Sequence, residues 1–117
     1  MKKLKKYCLA LDLIPDQELI NEYIQYHQNV WPEILASIKE SGIEQMEIYH
    51  IENRLFMIIE ADDSFDFKQK EKLDKQNPTV QKWEQLMWNY QQAISGGRTG
   101  EKWRLMQKIF DLKMADL

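Results

Sequence analysis

Tyr23, His27 and Trp31 recur at four-residue intervals, and Pro32 and Glu33 follow directly. In a helix that spacing puts an imidazole between two aromatic rings on one face. An imidazole with an ordinary pKa near 6.5 gives or takes a proton at neutral pH, and a neutral ring face offers a stacking surface to the C–H side of a pyranose. The combination suits a carbohydrate site. A single histidine on the inner stripe of a helix is nonetheless more often packed than reactive.

A chain of 117 residues and 14.1 kDa is the size of one domain, taken here as residues 1–117. The net charge of −3 and the pI of about 5.4 argue against a protein that tracks nucleic-acid phosphates. The lysines at 2, 3, 5 and 6 read as a solvated lead into a first strand. Asp12 interrupts the apolar run behind them, and no small-residue cleavage site follows, so a secretory signal is not expected. No run approaches the ~20 apolar residues needed to span a bilayer, so no membrane partner is expected. Cys8 stands alone, which excludes an internal disulfide and fits a cytoplasmic location. The two histidines and the cysteine lack metal-ligand spacing, and no metal site is expected. A nucleophilic pairing of Cys8 with His27 has no activating feature behind it.

Tyr7 to Ile14 alternates with the period of a strand. From Asp16 the period becomes helical: Ile20, Tyr23, Ile24, His27, Trp31, Ile34, Leu35 and Ile38 share a stripe. Pro32 forbids one straight helix, so a second is expected, capped by Asn29 with Pro32 in its first turn. His27 then stands at the carboxyl end of the first helix, where the helix dipole should raise its pKa. Beyond Ser41 and Gly42, Ile43–Ile51 and Arg54–Ala61 read as strands joined by a tight turn at Glu52 and Asn53. Met46, Ile48 and His50 are expected on one face of the hairpin, with Glu47, Tyr49 and Ile51 on the other. Asp62 to Ser64 should cap a short helix from Phe65 to about Leu73, and Asn77-Pro78 opens another whose stripe is Val80, Trp83, Met87 and Tyr90. Trp88 faces elsewhere. Residues 95–100 read as a glycine-rich loop without phosphate-binding spacing, and Lys102 to Leu112 alternates as a closing strand.

This order, β, α(α), β, β, α(α), β, is an α+β fold of the ferredoxin-like, split βαβ kind: an antiparallel four-stranded sheet with helices on one face. Apolar residues on both faces of the strands require a cover for the second face, and no element is left to supply it. A homodimer with sheets packed face to face, enclosing a barrel, is therefore expected.

The run Glu22-Tyr23-x-x-x-His27-x-x-x-Trp31-Pro32-Glu33, with Glu47-Ile48-Tyr49 and Val80-Gln81-Lys82-Trp83, resembles the L-rhamnose mutarotase family. The resemblance implies a cytoplasmic, cofactor-free dimer of ferredoxin-like subunits that interconverts the α and β anomers of a 6-deoxyhexose. It places the family's proton donor on His27 and its substrate-binding tyrosine on Tyr23. A second substrate tyrosine falls on Met46, and a pair of tryptophans falls on Trp83 and Glu84. With a thioether and a carboxylate in these places, L-fucose becomes a rival to L-rhamnose as the small-molecule partner. Two alternatives share or tolerate the same architecture: a dimeric α+β barrel monooxygenase, and a non-catalytic ligand-binding dimer module.

Overall fold

The computed structural model describes residues 3–92, 94 and 102–115. Strand β1 (Lys5–Leu13) turns Leu9, Leu11 and Leu13 toward the helices and Cys8, Ala10 and Asp12 the other way. It pairs antiparallel along its length with β3 (Arg54–Ala61), which pairs in turn with β2 (Ile43–Ile51). The far side of β1 is occupied by two short pieces, β4 (Gln91–Gln92) and β5 (Arg104–Leu105). The sheet order is β2-β3-β1-β4, with β5 also on β1, so the ferredoxin-like expectation holds. Asp12, which breaks the apolar run of β1, meets Arg54 directly across the sheet in a two-pronged ion pair, with Nε–Oδ1 2.7 Å and Nη2–Oδ2 3.1 Å.

Helix α1 (Gln17–Tyr26) starts at Asp16, whose Oδ1 accepts from the amides of Glu18 and Leu19. Helix α2 (Pro32–Glu40) starts differently from the sequence expectation. Its cap position is Trp31, which makes no side-chain capping bond, while Asn29 lies in the turn after α1 and donates its amide to Tyr26. Proline at the first helical position needs no partner for an N–H, and its fixed φ suits a helix start. The helix therefore begins at Pro32 and leaves Asn29 outside. At its other end Gly42 has φ 103, and a Cβ there would come within 2.8 Å of both Ser64 Oγ and Asp62 Oδ1. Only glycine fits.

The β2–β3 hairpin turns at Glu52 and Asn53, with the expected facing. Helix α3 spans Phe67–Gln76 and is capped by Asp66, two residues later than expected. Asp62 instead accepts the amide of Ser64, closing a turn of its own. Asn77 then caps α4 (Pro78–Trp88), accepting from Thr79 and Val80.

The closing strand is much shorter than the alternation of 102–112 predicts. After the Met106 amide donates to Cys8, pairing with β1 ends, and 106–111 continue without secondary structure to a short α5 (Leu112–Ala115). The alternation marked apolar side chains correctly, but within one chain they have no surface to cover: Leu105, Met106, Ile109, Phe110 and Leu112 are exposed. The predicted loop 95–100 lies outside the described residues. Among the described residues no helix is long and apolar enough to cross a membrane.

Two apolar clusters fill the space between sheet and helices. One joins Leu11, Leu13 and Leu55 to Ile20, Tyr23, Ile34, Val80, Trp83, Met87 and Tyr90; the other joins Leu9, Met57, Ile59 and Ala61 to Ile43. Trp103 and Ile38 pack against both.

Candidate functional site

The carboxyl end of α1 tightens before it stops. The His27 amide donates to Ile24 rather than to Tyr23, and the amides of Gln28 and Asn29 likewise reach back three residues. The Tyr23 carbonyl is met instead by the imidazole, whose Nδ1 lies 2.9 Å away. A carbonyl can only accept, so Nδ1 carries the proton and Nε2 is the free lone pair of the neutral ring. The local end of a helix thus sets both the tautomer and the aim of the histidine.

Aromatic rings hold it from two sides. The Tyr23 ring lies 4.4 Å from the imidazole, centroid to centroid, and the Trp83 indole of α4 lies 5.6 Å away at a steep angle. Trp83 also meets Trp31 edge-on at 5.1 Å and Tyr26 at 6.5 Å. Tyr90, at the end of α4, approaches both Tyr23 and Tyr26. The ring of β1 neighbours beneath is fixed by backbone bonds: Ile14 donates to the Tyr90 carbonyl, and Leu13 donates to Asn53 in the hairpin turn. Helices α1 and α4 carry Tyr23, Tyr26 and Trp83, while His27, Trp31 and Tyr90 stand at or just beyond helix ends.

Burial sets the protonation. Desolvation, the larger effect, pushes the His27 pKa below its ordinary 6.5, opposed by the bond to the Tyr23 carbonyl. The rise expected from the helix end does not occur, because the loss of water around a half-buried ring outweighs the helix dipole. At neutral pH the ring rests uncharged, as a base. Tyr23 is 3% exposed, and desolvation pushes its phenol up to about 12, against a smaller lowering by Gln91. It stays a hydrogen-bond donor throughout the physiological range.

Among the residues singled out from the sequence, Tyr23, His27 and Trp83 come together. Met46 does not join them: it lies on the helix-facing side of β2, opposite Ile59, and packs against the second cluster. Its row in the sheet passes through Tyr7, six residues along β1 from Leu13, which is roughly 20 Å at strand spacing. Glu84, one position after Trp83, accepts from Gln81 Nε2 at 3.4 Å, and its backbone carbonyl accepts from Lys102 Nζ at 3.2 Å. Lys102 also sits 5.0 Å over the Trp88 ring. Tyr26, Tyr90 and Gln91 complete the surroundings and were not marked as site residues by the sequence. Tyr90 lay on the predicted stripe of α4 as a core residue, whereas Tyr26 is off the stripe of α1 and nothing in the periodicity points to it. Among the described residues no cluster of histidine, cysteine and acidic side chains is arranged to hold a metal ion.

A profile of the L-rhamnose mutarotase family matches residues 6–112. The chain belongs to that family. The L-fucose mutarotase of Xanthomonas campestris pv. campestris is 39% identical over 114 residues, covering 96% of this chain and 91% of that protein. In three dimensions this mutarotase-family chain is similar to the L-rhamnose mutarotase of Formosa agariphila, with a TM-score of 0.68 at 20% identity over 92% of this chain and 98% of the other. It is also similar to tetracenomycin F2 cyclase of Streptomyces glaucescens, a type-II polyketide cyclase, with a TM-score of 0.60 at 16% identity over 92% and 95%. At these identities the two structures establish the shared fold. Membership of the mutarotase family rests on the sequence match and decides between the readings that the fold alone left open.

Proposed function

We propose that this protein is a cofactor-free mutarotase that interconverts the α and β anomers of a 6-deoxyhexose, with L-fucose as the preferred sugar over L-rhamnose. The observation that carries the chemistry is an uncharged imidazole, anchored through Nδ1 at 2.9 Å to the Tyr23 carbonyl and set between the Tyr23 and Trp83 rings. The preference for L-fucose is supported by the 39% identity to an L-fucose mutarotase.

Mutarotation opens the ring, turns the aldehyde about C1–C2 and closes on its other face. His27 Nε2 takes the proton of the anomeric hydroxyl as the C1–O5 bond breaks and the C1=O double bond forms. O5 gains a proton in the same step, a role open to the Tyr23 phenol because it remains un-ionised. After rotation, O5 returns a proton as it attacks C1, and imidazolium returns the other to the new anomeric oxygen. Trp83 supplies a flat face for the sugar. Glu84 stands beside Trp83 on α4 as an outer group of the sugar site in this scheme, whereas Met46, packed in the second apolar cluster, takes no part in it.

The functional unit is a homodimer. Ala10, Phe56, Ile58, Tyr49 and Ile51 share the sheet face turned away from the helices, and Tyr49 and Ile51 remain 53% and 71% exposed in the single chain. Such a patch calls for a partner.

NMR saturation transfer between sugar anomers tests the activity directly. Accelerated exchange with L-fucose, weaker with L-rhamnose and lost in His27→Ala, is the expected result. Absence of acceleration with both sugars refutes the reading.

A further inference from the structure

Gln91 is the one polar side chain in the buried class among the described residues, 8% exposed. It sits on the helix-facing side of the sheet, as the register partner of the fully buried Leu13. Its Nε2 donates to the Tyr23 hydroxyl at 3.4 Å, and its Oε1 has no hydrogen-bond partner. Rotating the amide by half a turn does not remove the problem: Oε1 would then accept from the phenol and the NH₂ would stand free. Either way a buried amide keeps one unspent end beside Tyr23. An apolar residue would fill that place without leaving a polar group stranded.

We propose that Gln91 is a sugar-binding residue that pairs with a ring hydroxyl of the substrate and helps the site discriminate between 6-deoxyhexoses. The inference rests on the mutarotase reading. A sugar hydroxyl both donates and accepts, so it satisfies the free end of the amide in either orientation. L-fucose and L-rhamnose differ in the configuration of hydroxyls at C2 and C4, and a site built to bond a hydroxyl disfavours the isomer that points it elsewhere. Tyr23 links the amide to the reacting centre, since its ring also lies against His27.

The test is Gln91→Met, which keeps the length of the side chain and removes both polar ends. KM and kcat for each sugar come from anomer-exchange rates over a range of sugar concentrations, and Tm comes from thermal unfolding. The expected result is a KM for the preferred sugar raised tenfold or more, kcat changed less than threefold, a narrowed ratio of preference between the two sugars, and a Tm that holds or rises. A purely structural amide gives the opposite pattern. Unchanged KM and preference, or a variant that fails to fold, overturns the proposal while wild-type exchange leaves the mutarotase reading intact. A wild-type protein that accelerates neither sugar overturns both.

Discussion

His27 Nδ1 lies 2.9 Å from the carbonyl oxygen of Tyr23, one helical turn earlier in α1. This bond forms because the last turn of the helix tightens and sends the His27 amide to Ile24. The residue that stacks on the imidazole is thus the residue whose backbone orients it. His27→Ala should lower the anomer-exchange rate by about 10²–10⁴-fold, the usual weight of one general acid–base group. Far-UV circular dichroism should be unchanged, because the ring is half-buried at a helix end. An exchange rate within threefold of wild type would remove His27 from the mechanism.

The depressed pKa of His27 predicts the direction of pH dependence. The uncharged ring is the active form, so exchange should rise with pH, pass through an apparent pKa below 6.5 and stay level above it on this limb. Stability carries the same sign. Between the folded pKa and 6.5 the unfolded chain binds more protons than the folded one, so the contribution of His27 is full above pH 6.5 and is lost as the pH falls toward the folded value. A rate that climbs as the pH is lowered from 7 to 5 would contradict the assignment of the base. In His27→Gln the limb should vanish.

Much of this was legible from spacing. Proline at position 32, glycine at 42 and the Asn77-Pro78 pair mark breaks through local backbone chemistry, and the structure has its boundaries there. Asn29 is not the cap of α2 because Pro32 starts that helix with Trp31 at the cap position, and the Asp62–Ser64 run is not the cap of α3 because Asp66 lies within reach and takes that place. The pKa of His27 was misjudged for a related reason: a helix end is visible in sequence, whereas the depth at which Tyr23 and Trp83 enclose the ring is a property of packing between α1 and α4. Gln91 escaped because a glutamine next to a helix end looks like any surface residue until the register places it opposite Leu13.

Trp83 is 8% exposed and contacts the rings of Tyr26, His27 and Trp31, so it serves the core and the site together. Trp83→Ala should cost about 3–5 kcal/mol of stability, typical of a large aromatic removed from a core. Trp83→Phe keeps an aromatic face and should lose far less, while still raising KM for the sugar. Urea unfolding of the two variants, with exchange kinetics on the phenylalanine form, separates the contributions. Equal unfolding midpoints would show that the indole is not a core member.

Asn77 positions Trp83 from a distance, through the start of the helix that carries it. Its Oδ1 accepts from Thr79 and Val80 at 3.0 and 3.3 Å. Asn77→Ala should cost about 1 kcal/mol, as loss of a helix cap does, whereas Asn77→Asp retains an acceptor and should be close to neutral. Chemical denaturation with a constant m-value is the measurement. A loss of stability equal in both variants would mean that the asparagine acts through something other than its capping oxygen.

The open face of the sheet makes the last prediction. Phe56 and Ile58 of β3 lie between Ala10 and Cys8 of β1 on one side and Tyr49 and Glu47 of β2 on the other, so the apolar side chains form one patch. A patch of this kind drives association by removing apolar surface from water, roughly 25 cal/mol for each Å² covered. Placing one charge at its centre brings two like charges together across a two-fold axis and leaves both desolvated. Ile58→Lys should therefore convert a dimer to a monomer in sedimentation velocity, while Glu44→Lys, on the exposed edge strand, should not. The exposed run of Met106, Ile109 and Phe110 beyond β5 should lose protection from limited proteolysis in the same variant if the partner covers it. A monomeric wild-type protein would refute the dimer and leave the patch to another partner.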